Sequence, residues 1–233
     1  IKKEVDILSL VTLIINDKKV QVEEGTTILD AAKQLEIYIP TLCHMNLHDG
    51  IEHNPGSCRV CVVEIEGRKN LAPSCNTMVS EGMVVRTNSI RAIKARRTVV
   101  ELLLSDHPQD CLLCEKSMNC ELQALASDMG IRKMKYKGDM TTFPKDFSSS
   151  AIERNQDKCI LCRRCVTVCS QIQTVSVLSA VNRGFNTIIS PAFGHPMIET
   201  NCTFCGQCVS VCPTGALTEV NNTTKVWDAL NDK

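Results

Sequence analysis

Two stretches of the 233-residue sequence decide its fold: KCILCRRCVTVC at positions 158–169 and NCTFCGQCVSVC at positions 201–212. Each stretch carries cysteines at the spacing C-x2-C-x2-C-x3-C, and Pro213 follows the second one directly. A supersecondary unit that occurs twice in one chain predicts a pseudo-symmetric module. The density of cysteines within that unit predicts that the module is built around metal.

This spacing is the one that builds two-cluster ferredoxins, in which three close cysteines bind one 4Fe-4S cube and the fourth ligates the other cube. It predicts one ligand set of Cys159, Cys162, Cys165 and Cys212, and a second of Cys202, Cys205, Cys208 and Cys169. Crossed sets bring both cubes into one small core and leave no open coordination position, which favours conduction of electrons over catalysis. A pair of zinc sites is the alternative, although zinc sites use cysteines in paired spacings.

The composition agrees with a metal-rich, electron-carrying protein. The chain has 15 cysteines, and Lys plus Arg equals Asp plus Glu at 26 each, so there is no net field to attract nucleic acid. Its first residues lack the apolar run of a secretory signal, and no stretch approaches the length of a membrane span. We therefore expect a soluble cytoplasmic protein, where cysteines bind metal more often than they form disulfides.

The N-terminal region predicts a β-grasp unit with a cluster of its own. Two alternating strands flank the turn signal Asn16-Asp17, and Thr27 precedes a helical pattern that Pro40 ends. Further strands are predicted near 60–65 and 82–86. Plant-type ferredoxins hold a 2Fe-2S cluster on this fold with a related cysteine spacing. The predicted ligands are Cys43, Cys58, Cys61 and Cys75, and Gly56 and Gly67 fit a close approach of the backbone to the cluster.

A third group of ligands follows a predicted helix at 89–104. The apolar face of this helix is predicted near Ile93, Arg97, Val100 and Leu104, and the basic residues Arg91, Lys94 and Arg96 are expected largely on another, solvated face. The pattern H-x3-C-x2-C-x5-C supplies His107, Cys111, Cys114 and Cys120. Three cysteines cannot complete a four-ligand cube, so His107 is predicted as the fourth ligand. With this assignment all 15 cysteines are used, and the predicted cofactors are one 2Fe-2S and three 4Fe-4S clusters.

The other histidines have no complete ligand partners, and we interpret them as surface residues or neighbours of ligands: His44, His48, His53 and His195. No dinucleotide-binding, phosphate-binding or nucleophile motif is present, so no catalytic residue is predicted. The predicted fold class is α+β. The predicted domains are a β-grasp 2Fe-2S domain at 10–88, a small helical histidine-ligated 4Fe-4S domain at 89–130, a linker at 131–150, a two-cluster ferredoxin-like domain at 151–220, and a tail at 221–233.

The order of these motifs resembles the N-terminal electron-transfer region of iron-iron hydrogenase large subunits. The first two modules also resemble the large iron-sulfur subunit of respiratory complex I. The resemblance covers nearly the whole chain, and PGSCRVCVVE at 55–64 and LLLSDHP at 102–108 look like those of NAD-linked, electron-bifurcating members. VWDALND at 226–232 resembles the linker that enters the catalytic hydrogenase domain, whose cysteine motifs do not follow here.

The resemblance implies a complex with a flavin-containing NAD(P)H-oxidising subunit, a thioredoxin-like 2Fe-2S subunit and soluble ferredoxin. Three interpretations stay open. The chain is a complete subunit of a flavin-based NAD(P)H:ferredoxin oxidoreductase such as a Sporomusa-type bifurcating transhydrogenase, or part of a longer hydrogenase whose catalytic domain lies beyond Lys233, or part of a formate dehydrogenase. The tail favours the first two interpretations.

Overall fold

The computed structural model describes residues 9–47 and 51–232. The chain divides into two compact units of mixed α/β structure. The first unit contains the described residues up to Leu103 together with Leu125–Tyr136. The second contains Leu104–Ala124 and the residues from Lys137 onward. Each unit has its own core and its own group of cysteines, so the two are described separately.

The first unit begins with the predicted hairpin. Strands β1 (Leu10–Ile15) and β2 (Lys18–Glu23) pair antiparallel, with Ile15 opposite Lys18. Asn16 and Asp17 between them have φ values of 49° and 67°, the left-handed conformation that a two-residue turn needs to match the twist of its strands. The turn signal in the sequence therefore predicted the hairpin correctly.

Helix α1 (Ile28–Gln34) follows, and the Thr27 side chain accepts a hydrogen bond from the Asp30 N–H, as expected of an N-cap. The remaining strands of this unit are β3 (Met45–Asn46), β4 (Glu52–His53), β5 (Val62–Ile65), β6 (Ala72–Pro73) and β7 (Val84–Arg86). The buried side chains of α1 pack on a five-stranded sheet of order β2-β1-β7-β5-β6, with β1 parallel to β7. Leu13, Ile15 and Val85 are fully buried, each contributing about 1.5–3 kcal/mol of hydrophobic stabilisation.

Helix α2 (Ile90–Ser105) corrects one prediction about its faces. Arg96, expected on the solvated basic face, is buried, and its guanidinium donates from Nε and Nη2 to the Val62 carbonyl at 2.9 and 2.7 Å. Ile93, expected on the apolar face, is 52% exposed. The helix therefore buries the face that carries Ala92, Arg96 and Val100, because a strand carbonyl is available to the guanidinium there.

The second unit is built from short elements around its cysteines. Antiparallel pairs join β8 to β11 and β9 to β10, and the Gln156 side chain bonds both the N–H and the carbonyl of Ile189. The elements that begin in this unit are α3 (Glu121–Asp128), β8 (Ile152–Arg154), α4 (Arg164–Thr167), a π-helix (Val168–Ile172), β9 (Ser179–Val181), β10 (Ile188–Ser190), α5 (Gln207–Ser210), β11 (Leu217–Glu219) and α6 (Thr223–Asn231). Over the described part of the chain, no helix is both long and apolar enough to cross a bilayer.

Residues 137–150, within the predicted linker, form hydrogen bonds with the rest of the second unit at several points. The Asp106 carboxylate accepts from the Thr141 N–H at 2.6 Å. Asp146 exchanges backbone hydrogen bonds with Arg154, and its carboxylate accepts from the Met197 N–H at 2.9 Å. Hydrogen bonds from Ser148 and Met197 and the charge of Arg154 outweigh burial and lower the pKa of Asp146. The exact domain boundaries stay a prediction.

Candidate metal-cluster sites

The second unit contains an apolar cavity lined by four of the predicted cube ligands. Cys159, Cys162, Cys165 and Cys212 all line it, and the side chains of Leu178, Ile189 and Leu217 help to close it. Burial raises the pKa of Cys159 to about 11 and that of Cys162 to about 12, because an ionised thiol loses its hydration there. Thiolates at such a place need a cation beside them, and iron would supply it.

A second apolar cavity is lined by the other predicted set. Its cysteines are Cys169, Cys202, Cys205 and Cys208. Burial raises the pKa of Cys208 to about 12, and Leu178 forms part of the wall of both cavities. In each cavity three cysteines come from one copy of the repeat and one from the other. Four sulfurs around an apolar space match the donor set of a 4Fe-4S cube.

Backbone N–H groups point at the first cysteine of each loop. Leu161 N lies 3.5 Å from Cys159 Sγ, Phe204 N lies 3.4 Å from Cys202 Sγ, and Val60 N lies 3.5 Å from Cys58 Sγ. A hydrogen bond to sulfur stabilises the thiolate and is one of the levers that set a cluster potential. The same local geometry thus recurs in both units.

In the first unit, Cys43, Cys58, Cys61 and Cys75 are gathered into one hydrogen-bonded group. Hydrogen bonds from Cys58 and Cys75 hold the pKa of Cys43 well below its usual range. A hydrogen bond from Cys75 lowers the pKa of Cys61 to about 6, while those to Cys43 and Cys61 raise the pKa of Cys75. Four clustered cysteines, three of them buried, match the donor set of a 2Fe-2S cluster.

The two glycines singled out near this group have different environments. Gly56 has φ +59°, a conformation that favours glycine, and a Cβ there would lie 2.6 Å from the side-chain nitrogen of Asn76, which would have to move. Gly67 also has positive φ, but a Cβ there would meet nothing within 4 Å. Gly67 therefore suits a turn, and its approach to a cluster stays a prediction.

His107 lies just beyond the end of α2 and is 8% exposed. Burial, together with the charge of Lys158, lowers its pKa, which favours the neutral imidazole that binds metals. Cys111 begins a single 3-10 turn that Cys114 follows, and Cys120 directly precedes α3. Burial raises the pKa of Cys120, and Cys114 and Cys111 add to the effect, so the three thiols share one neighbourhood.

Lys158 lies beside Cys114 and Asp110, although no motif in the sequence singles it out. It is buried, its Nζ lies 3.5 Å from Asp110 Oδ2, and its stem lies beside the Cys114 sulfur, since a Cβ on Gly215 would be 3.3 Å from Lys158 Cδ and 2.7 Å from Cys114 Sγ. Burial lowers the pKa of Lys158, but Cys114 and Asp110 raise it by more, so it lies above its ordinary value. The one available signal was a mismatch between the two copies, since Asn201 occupies the equivalent position.

A second interaction missed by the sequence reasoning joins α4 to α3. Arg164 is 9% exposed in its side chain and donates to both carboxylate oxygens of Glu121, at 2.5 and 2.8 Å. The Glu121 N–H donates to the Pro213 carbonyl at 2.9 Å. These bonds hold the start of α3, and with it Cys120, against the loops of the repeat.

The remaining histidines have structural contacts of other kinds. His44 Nδ1 pairs with the Asn54 side chain, and His53 is buried in β4. His195 is exposed and lies 3.3 Å from a Glu199 carboxylate oxygen. His48 lies outside the described residues. Across 9–47 and 51–232, no three histidine, cysteine or carboxylate side chains converge as ligands of a lone metal ion would.

Three family models match successive parts of the chain. A 2Fe-2S iron-sulfur cluster binding domain matches residues 9–89. The iron-sulfur binding region of NADH-ubiquinone oxidoreductase G matches residues 96–135. The ferredoxin-like domain of NADH-quinone oxidoreductase subunit 3 matches residues 149–218. Binding domains for both cluster types are therefore present.

Relatives align along nearly the whole chain. The NADP-reducing hydrogenase subunit HndD of Solidesulfovibrio fructosivorans is 57% identical over 96% of this chain and 38% of its own length. The NADPH-Fe(3+) oxidoreductase subunit alpha of Geobacter sulfurreducens is 40% identical over 89% of this chain and 24% of its own. A crystal structure of an NAD+-reducing [NiFe]-hydrogenase aligns with TM-score 0.81 and 30% identity, over 90% of this chain and 87% of that one. The chain thus spans less than two fifths of these two curated relatives, but most of the crystallised chain.

Proposed function

The chain belongs to the family of iron-sulfur electron-transfer subunits of NAD(P)-linked hydrogenases and NADH-quinone oxidoreductases, and from this premise we propose that it relays electrons through four clusters. The first is a 2Fe-2S cluster on a β-grasp domain, and the other three are 4Fe-4S clusters. The observation that carries the proposal is the lining of two separate apolar cavities by four cysteines each. Such sites bind a cube completely and leave no position for a substrate.

The proposed ligands are those predicted from the spacing. For the 2Fe-2S cluster they are Cys43, Cys58, Cys61 and Cys75, which share hydrogen bonds. For the histidine-ligated cluster they are His107, Cys111, Cys114 and Cys120, supported by the burial of the imidazole and the shared neighbourhood of the three thiols. For the remaining two cubes, the proposed ligands are the four cysteines that line each of the two cavities.

When bound, the clusters supply one-electron transfer, and no residue of this chain makes or breaks a substrate bond. The protein has three tasks in this proposal, two performed by side chains and one by the backbone. The cysteines and His107 hold iron, the apolar walls around Leu178 exclude water, and the N–H groups of Leu161 and Phe204 bond to sulfur. Water exclusion matters because it strengthens every charge interaction that sets a potential.

The proposed partners are a flavin-containing NAD(P)H-oxidising subunit, a thioredoxin-like 2Fe-2S subunit and soluble ferredoxin, in an electron-bifurcating complex of the cytoplasm. The relatives named for NADP reduction and for NADPH oxidation support the link to pyridine nucleotides. A second candidate is the electron-transfer part of a longer hydrogenase. It is favoured by the alignment of 96% of this chain with 38% of HndD.

Metal analysis of the anaerobically purified native protein tests the proposal. One 2Fe-2S and three 4Fe-4S clusters predict about 14 irons and a matching amount of acid-labile sulfide in this part of the chain. Zinc in place of iron, or irons without sulfide, would refute it. An intact mass well above that of the 25.7 kDa chain, with further iron, would favour the longer hydrogenase.

A ligand variant tests the relay itself. Cys208→Ser is expected to remove the irons of one cube and to abolish reduction of ferredoxin by the complex. NAD(P)H oxidation by the flavin subunit with an artificial acceptor should stay unchanged, because that chemistry is remote from Cys208. Full ferredoxin-linked turnover in a variant lacking the cube would contradict the relay.

A further inference from the structure

Lys158 lies beside proposed ligands of two different clusters in the second unit. It directly precedes Cys159, a ligand proposed for the first cube, and its stem borders the same space beside Gly215 as the sulfur of Cys114, a ligand proposed for the histidine cluster. Only 8% of the residue is exposed. A single buried side chain therefore connects the surroundings of both clusters.

We infer that Lys158 is a positioning residue that holds a positive charge against Cys114 and thereby raises the reduction potential of the histidine-ligated cluster. The inference rests on the proposed function, since it requires a cluster at Cys114. Reduction adds negative charge to a cluster, so a nearby ammonium stabilises the reduced form more than the oxidised form. The cluster therefore accepts an electron more readily with Lys158 present.

The surrounding residues hold the lysine in place. The Thr214 hydroxyl donates to the Lys158 carbonyl at 2.7 Å, which fixes the backbone from which the side chain starts. Gly215 leaves room for the rest: a Cβ there would lie 2.7 Å from Cys114 Sγ and 3.3 Å from Lys158 Cδ. The backbone of Gly215 does not have positive φ, so the requirement at this position is for space. The lysine stem and the sulfur are thus confined together.

The carboxylates nearby moderate the effect of the lysine. Asp110 Oδ2 lies 3.5 Å from Nζ, and its side chain is 47% exposed, so water screens it more than the amine. Asp106, whose charge also acts on His107, is bound to Thr141. The buried cation therefore has the larger influence at Cys114.

The other copy of the repeat has no such charge. Asn201 precedes Cys202 at the position that Lys158 has before Cys159, and Asn201 is exposed. At this position of the repeat, therefore, the first copy has a cation and the second copy has a neutral side chain. Asn201 also provides a matched control position.

The test is an anaerobic redox titration of the intact purified protein, followed by electron paramagnetic resonance. The signal of the histidine cluster is the one that Cys114→Ser removes. Lys158→Met should reduce the reduced-to-oxidised ratio of that signal at a fixed potential by tenfold or more, which corresponds to about 59 mV for one electron. Lys158→Arg should retain most of the original ratio, and Asn201→Met should leave it unchanged.

Asp110→Asn provides an independent test if Lys158→Met cannot retain its cluster. Removing the exposed carboxylate removes the negative charge that partly cancels the Lys158 ammonium. The reduced-to-oxidised ratio of the histidine-cluster signal should therefore rise, by less than tenfold. Unchanged titrations for both variants at about 14 irons per chain would overturn the role of Lys158 and leave the relay intact. A shift in Lys158→Met that Asn201→Met reproduces would also overturn it. If the titration of the unaltered protein shows no cluster signal that Cys114→Ser removes, the proposed function itself is refuted.

Discussion

The two copies of the cysteine repeat share a backbone but differ in their surroundings. Leu161 and Phe204 occupy the same position in each copy and have φ values of 54° and 52°. Two residues later, Arg163 and Gly206 have φ values of 63° and 76°. These left-handed residues curve each loop around its cavity. The cysteine spacing is thus accompanied by the same local geometry even where the residue types differ.

The surroundings of the two copies are not alike. In the first copy Cys162 is 7% exposed and the neighbouring residues include the cations Lys158 and Arg164, whereas in the second copy Cys205 is exposed. Asn201 and Gln207 replace the two cations. The first copy continues from α4 into a π-helix, while α5 of the second copy is followed by Cys212 and Pro213. The shared cysteine spacing thus accompanies a shared loop geometry, while the flanking residues give the two cavities different electrostatic environments.

The largest expected difference concerns the loss of equivalent ligands. Cys162→Ser and Cys205→Ser should each remove about four irons per chain, since each breaks one cube. Cys162→Ser should lower the urea midpoint of the second unit more, because its cavity is buried and metal binding contributes directly to folding. Iron analysis and anaerobic urea unfolding, followed by circular dichroism, measure both effects. Equal midpoints for the two variants would show that the difference in burial has no energetic consequence.

The next largest effect concerns the ion pair found only beside the first copy. Glu121→Gln leaves the nearly buried Arg164 without its carboxylate partner and should lower the free energy of unfolding by about 1–3 kcal/mol. Glu219→Gln is the matched control, because it makes the same change at an exposed glutamate of the second unit, and it should cost within about 0.5 kcal/mol. Urea unfolding of cluster-loaded protein measures both. A cost for Glu121→Gln no larger than that of the control would mean that α3 is held by other contacts.

The sequence predicted the local features well. The turn at Asn16-Asp17, the Thr27 cap and the long helix α2 all have strong short-range signals, and all three are present. The groups of cysteines that line each cavity also follow from spacing, because the repeat constrains where its loops can go. The ligand assignments themselves stay predictions until metal is measured.

Features that depend on tertiary contacts were not predictable. The burial of Arg96 depends on the carbonyl of Val62, which is 34 residues away. Lys158 and Cys114 are far apart in the sequence, and nothing in their spacing indicates that they meet. Helical periodicity predicted a solvated face for Arg96 because it depends on residue types alone. It contains no information on the polar groups of a neighbouring strand. The burial of cationic side chains is therefore the feature that the sequence predicted least well.

The smallest effect tests whether the shared left-handed backbone has the same cost in both copies. Gly206→Ala should destabilise the second unit by about 1 kcal/mol, because a Cβ at φ 76° is strained even though it would meet no atom within 4 Å. Arg163→Gly relieves the equivalent strain in the first copy but also frees the unfolded chain, so its net change should be below about 1 kcal/mol. Urea unfolding of both cluster-loaded variants measures the two changes. If Gly206→Ala proves neutral, the bound cluster must select the loop conformation regardless of residue type, and the common backbone of the two copies would be a consequence of metal binding.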